Sequence, residues 1–154
     1  MKEQLIDAWC INNRMNLLLM DNITDDGMQK TLSTRGGRTV YLQLIHVRNV
    51  RIGWLEVVAK DIFSKYKGLD KEATYDKKAL RKALEDSAKG IEEFIDRSWD
   101  DGGKVKSFKK GLIPMIAYLI SHESHHRGSI MLTLKQSGVK LPDTLKWGLW
   151  EWGK

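Results

Sequence analysis

Four stretches of this chain repeat apolar side chains at steps of three and four, the period of a helix that buries one face. The first covers residues 2–22, where Leu5, Trp9, Met15, Leu18 and Leu19 recur and Asn12, Asn13 and Asn16 interrupt the stripe. The second starts near Thr39, a good N-cap residue, and runs to about Phe63, with Val40, Leu44, Val47 and Trp54 on its face and Ile45, Ile52 and Leu55 widening it. The third covers residues 76–99, with Leu80, Leu84, Ala88, Ile91, Phe94 and Ile95 in register. The fourth starts near Pro114, a tolerated first-turn proline. It ends after Gln136 at Ser137-Gly138, a helix stop.

The segments between them read as connections. Residues 21–38 hold Asp-Asp-Gly and Gly-Gly. That stretch is long for a bundle loop, which leaves room for a short helical turn or a functional role. Residues 64–75 are polar and lysine-rich, a linker, and Asp100-Asp101-Gly102-Gly103 stops the third helix. Beyond Pro142 lies an aromatic tail, Trp147-Gly148-Leu149-Trp150-Glu151-Trp152. No strand-like alternation competes with this pattern. The expectation is an all-α protein, a four-helix bundle with an aromatic C-terminal tail, in one domain spanning residues 1–154.

Composition narrows the setting. One cysteine, Cys10, excludes an intrachain disulfide. No apolar run has the length of a signal peptide or of a membrane span. Both point to a soluble, cytoplasmic chain. The net charge is +6, which raises nucleic acid as a partner. However, Lys65, Lys67, Lys71, Lys77, Lys78, Arg81 and Lys82 alternate with acids, and Lys104, Lys106, Lys109 and Lys110 form one small loop cluster. Solvated faces explain that pattern without a nucleic acid.

The chemistry lies in the four histidines. His122, His125 and His126 fall within five residues of the fourth helix, and His46 sits inside the second. At about 100° per residue, His122 and His126 lie about 40° apart on one face, one turn along the axis. His125 points about 60° to the other side of His122. An i, i+4 pair can grip one ion from the same side. Tyr118, Leu119, Met115 and Ile130 share that face, and Leu42, Leu44, Ile45, Val47 and Val50 flank His46. Inward histidines need a partner, which a metal, a buried carboxylate or water can supply. Three imidazoles with a further position open describe a reactive site, because a structural zinc is usually closed by four protein ligands.

His122-Glu123-Ser124-His125-His126-Arg127-Gly128-Ser129-Ile130 resembles the H-x-x-H-H-R-G-Q-I signature of the DinB-like family, the damage-inducible or YfiT-like metalloenzymes. His46-Val47-Arg48-Asn49-Val50-Arg51-Ile52-Gly53-Trp54 and the tail from Lys146 to Trp152 are similar to further parts of that family. The resemblance implies a bundle with up-down-down-up topology and one divalent transition metal, zinc or nickel, held by His46, His122 and His126. It also implies a homodimer and a small-molecule substrate, with thiol-dependent transferases using mycothiol, bacillithiol or glutathione among the relatives. Ser129 stands where glutamine is usual. The functional expectation is a metal-dependent hydrolase or thiol-dependent transferase; the alternative is a non-catalytic metal-binding stress-response protein.

The remaining residues of interest carry structural and functional readings. Asn49, one turn after His46, either orients that ring or bonds to backbone. Asn12, Asn13 and Asn16 are further candidates to orient a ligand. Glu123 is read as a salt-bridge partner or a solvent-facing charge, with general base as the functional alternative. Arg127 is expected to hold a carboxylate across the bundle, Gly128 to permit close helix packing, and Cys10 to lie in the core. The tail tryptophans either line the site's entrance, form a dimer contact, or cover the open end of the core.

Overall fold

The computed structural model describes residues 1–66 and 74–153. Among them all regular structure is helical: α1 (Lys2–Asp21), α2 (Asp25–Met28), α3 (Val40–Val58), α4 (Lys60–Tyr66), α5 (Lys77–Asp100), α6 (Leu112–Gln136) and α7 (Asp143–Gly148). The four long helices are the four that the apolar pattern predicts, and they form a helical bundle.

Local chemistry marks their ends. Thr39 caps α3, its hydroxyl accepting from the Leu42 N–H at 3.2 Å, and Asp76 caps α5 through the Ala79 N–H at 2.7 Å. Helix α6 starts at Leu112, two residues before the expected Pro114. Gly111 precedes it at φ 90°, a left-handed conformation that glycine adopts at little cost. Pro114 thus sits in the first turn, where no intrahelical partner awaits its missing N–H. At the other end Gly138, at φ 78°, lets Val139 N–H reach back to Leu134 C=O at 2.9 Å, closing the helix as the Ser137-Gly138 signal foretold.

Two connections differ from expectation. Residues 21–38 contain α2, capped by Thr24 through the Gly27 N–H. The second helix does not run unbroken to Phe63. It breaks at Ala59, at φ −153° and ψ 68°, and resumes as α4. The break lets α4 turn against α5, where Ile62 is fully buried and Asp61 pairs with Arg97. Of the linker read over 64–75, residues 64–66 close α4, and 67–73 lie outside the described residues.

Around the bundle, α1 packs on α5 and α6, and α3 packs on α5 and α6. Ion pairs Lys2–Asp100 and Arg81–Asp21 at opposite ends make α1 antiparallel to α5. Contacts of Gln43 with His126 and of Arg51 with Glu123 make α3 antiparallel to α6. The core is divided along its length. One apolar cluster gathers Trp9, Leu55, Ile91, Phe94, Met115 and Leu119. The other gathers Leu19, Met20, Leu44, Leu84, Ile130 and Leu134. Between them each long helix places polar side chains inward: Asn12 and Asn16 from α1, Arg51 from α3, Ser87 from α5, Glu123 and His126 from α6. That polar layer lies at the depth of the histidines. No helix among the described residues is long and apolar enough to cross a membrane.

Candidate metal centre

The polar layer explains how the histidines are held. Glu123, beside His122 in sequence, faces away from it into the bundle and is 1 % exposed. Its carboxylate receives Arg51 Nε on Oε1 at 2.6 Å and Arg51 Nη2 on Oε2 at 2.7 Å. Asn12 and Asn16 each donate an amide N–H to Oε2 at 2.6 Å. Their amide oxygens accept from Arg127 Nη1 at 2.7 and 2.8 Å. The amide orientations follow from chemistry, because a carboxylate only accepts and a guanidinium only donates. Arg51 Nη1 also reaches Asn13 Oδ1 and Leu84 C=O, both at 2.9 Å, and its guanidinium lies 4.9 Å from the centre of a Trp9 ring. All four long helices therefore meet in one bonded network, in which the buried charges are paired and multiply hydrogen-bonded.

On the other side of α6 the imidazoles of His46, His122 and His126 converge. One ring nitrogen from each lies within 4.8 Å of the other two. His122 Nε2 and His46 Nε2 are 3.2 Å apart. Two imidazoles bound tetrahedrally to one ion at the usual zinc–nitrogen length stand about 3.3 Å apart, so this pair already has the spacing that a shared ion needs. His126 Nδ1 lies 3.2 Å from Gln43 Oε1. A glutamine oxygen only accepts, so Nδ1 carries the proton and Nε2 keeps a free lone pair, the tautomer a ligand requires. His122 packs its ring over Tyr118 at 6.3 Å.

Electrostatics favour neutral rings. Burial lowers the pKa of all three, and the charge of Arg38 lowers each further. For His126 burial, together with His122 and His46, brings it down to about 4. Neutral imidazole is the form that binds a metal. The donor set is all nitrogen, which suits zinc, nickel, copper or iron. The three residues fit such an ion.

The structure thus brings together His46, His122 and His126 and sets His125 apart: it is exposed, its ring edge-on to His126 at 5.1 Å. Glu123 is the salt-bridge partner and not the solvent-facing charge. Its carboxylate accepts from four donors, one on Oε1 and three on Oε2. Arg127 grips two amide oxygens and the Ser124 hydroxyl, not the expected carboxylate. Asn49 accepts from the neighbouring Arg48 at 2.9 Å, so it serves a side chain and not the backbone. A Cβ on Gly128 would meet nothing within 4 Å, so no close packing depends on it. Cys10 is exposed, not in the core. Trp147, Trp150 and Trp152 are also exposed, and the end of the core is covered by Leu145 of α7 instead. Sequence reasoning missed Gln43 and Arg51. Gln43 stands one helical turn before His46, and that spacing was the signal available for it.

A helical bundle with three inward histidines converging from two antiparallel helices defines a class of candidate metal proteins. The chain matches the DinB family model over residues 1–151 and belongs to that family. Comparison with the curated proteins and with the solved structures finds no match.

Proposed function

We propose that His46, His122 and His126 bind one divalent transition metal ion, zinc or nickel, and that the chain is a metal-dependent enzyme, a hydrolase or a thiol-dependent transferase. The observation that carries the reading is the convergence of three ring nitrogens, with the His126 tautomer set by Gln43. The ion would supply Lewis acidity, lowering the pKa of a water or thiol in its open position. The chain's own residues hold the donors. Gln43 fixes the His126 ring, Tyr118 backs His122, and the Arg51–Glu123 network holds α3 and α6 in register. Burial keeps the rings unprotonated near neutral pH.

An ion acting only as a staple has less to do here, because that network already ties the four helices together without it. The same reading takes the chain as a cytoplasmic homodimer, and the exposed Trp147 and Trp150 offer apolar surface for a contact of that kind.

Metal analysis of the purified, reconstituted chain tests the proposal. One ion per chain is expected for the wild type and none for His122→Ala. A folded wild-type chain that retains no ion after reconstitution with zinc, nickel, copper or iron overturns it. Activity screens with thiol acceptors and with hydrolysable esters and amides then separate the two reaction classes.

A further inference from the structure

Beside the histidines, a cavity of about 290 Å³ opens between α6 and the segment that leads into α3. His126 and Gln43 form its floor, and His125 and Ser129 stand on the α6 side. Arg38 stands opposite, with the Thr31 and Ser33 side chains, while Leu32 and Leu132 supply an apolar rim. The volume is at the small end of ligand pockets, about 300 Å³.

Its charge is one-sided. No aspartate or glutamate lines it. Arg38 is exposed and makes no ion pair among the described residues, unlike Arg51, Arg81 and Arg97 but like Arg35, Arg48 and Arg127. A guanidinium left without a carboxylate, beside hydroxyls, is electrostatically complementary to an anion, which it can grip through two parallel N–H bonds.

We infer that this cavity binds a small carboxylate- or phosphate-bearing molecule, its anionic group on Arg38 and the rest of it reaching toward the histidine cluster past His126. This names the substrate class of the proposed metal site and rests on that reading for its catalytic meaning, though the anion site itself needs only Arg38 and the cavity. Ser129 puts a short hydroxyl side chain on the α6 wall. Leu32 and Leu132 would cover a short apolar part of the ligand. An anion here would lie in partly open water, so its affinity should fall as salt rises.

The test is calorimetric titration of inorganic phosphate and, separately, succinate into the full chain at pH 8, metal-loaded and metal-free, for wild type, Arg38→Gln and Arg35→Gln. Arg35 is exposed on the same segment and does not line the cavity. The expected result is saturable binding of at least one probe to wild type and Arg35→Gln, weakened about tenfold or more in Arg38→Gln, about 1.4 kcal/mol, with metal content unchanged. Which probe binds distinguishes phosphate from carboxylate recognition. Equal affinity in wild type and Arg38→Gln, or no binding of either probe to the wild type, overturns the anion site, and the metal content measured alongside leaves the metal reading standing. Arg38-dependent binding by a chain that retains no ion after reconstitution would keep the anion site and overturn the metal reading instead.

Discussion

Arg51 of α3 and Glu123 of α6 form a two-pronged ion pair, Nε to Oε1 at 2.6 Å and Nη2 to Oε2 at 2.7 Å, with both side chains sealed from solvent. The pair joins the same two helices that carry the histidines, and Glu123 is the next residue after His122. Glu123→Gln leaves the Arg51 charge buried without a counterion. A loss of about 3–5 kcal/mol is expected, read as a lower midpoint in urea or as a melting point lower by roughly 10 °C. A stability equal to wild type would mean that water reaches the pair. Replacing both residues by apolar ones should recover only part of the loss, because Asn12 and Asn16 would lose their acceptor.

Gln43 acts on the proposed site through His126. In Gln43→Leu the His126 Nδ1–H loses its acceptor, and the ring loses the contact that sets its tautomer. Metal affinity should fall about 10- to 100-fold, measured by competition with a chromogenic chelator, while the helical circular dichroism stays the same. His46→Ala should abolish binding. An unchanged affinity in Gln43→Leu would show that Gln43 does not orient the ring.

Removing the ion should lower stability in proportion to how well it was bound. At a free metal concentration 100 times the dissociation constant, the bound ion contributes about 2.7 kcal/mol. The melting point of the wild type should therefore rise with added metal and drop on chelation, and that of His122→Ala should do neither.

Acid should destabilise the metal-free chain. His46, His122 and His126 all have pKa values below the ordinary 6.5, chiefly through burial, and His126 lies at about 4. Below pH 6.5 the unfolded chain takes up protons that the folded chain refuses, so the balance moves toward unfolding. The histidine contribution is complete above about pH 6.5 and is lost as the pH falls toward 4. Urea midpoints measured across that range should fall in wild type and fall less in His126→Ala.

Cys10 should react slowly despite its exposure. Burial of the sulfur and the neighbouring Glu92, 3.8 Å away, raise its thiol pKa, and the thiolate is the reactive form. Modification by a chromogenic disulfide should be slow at pH 7 and accelerate with alkali. Rapid reaction at pH 7 would contradict that environment.

The sequence by itself determined the long helices, because helical period, caps and stops are local properties. Thr39 and Ser137-Gly138 act where they were read. It also determined that His122 and His126 share a face, since that follows from helical geometry alone. The break at Ala59 was not legible, because it depends on α4 finding α5. The sequence placed His46 among apolar neighbours on another helix, and only the packing of α3 on α6 brought it to the other two. The role of Glu123 was decided by tertiary structure in the same way. A carboxylate 100° from a histidine looks much the same in sequence whether it meets water or a buried arginine, and Arg51, 72 positions away in the chain, becomes its partner only when the helices pack.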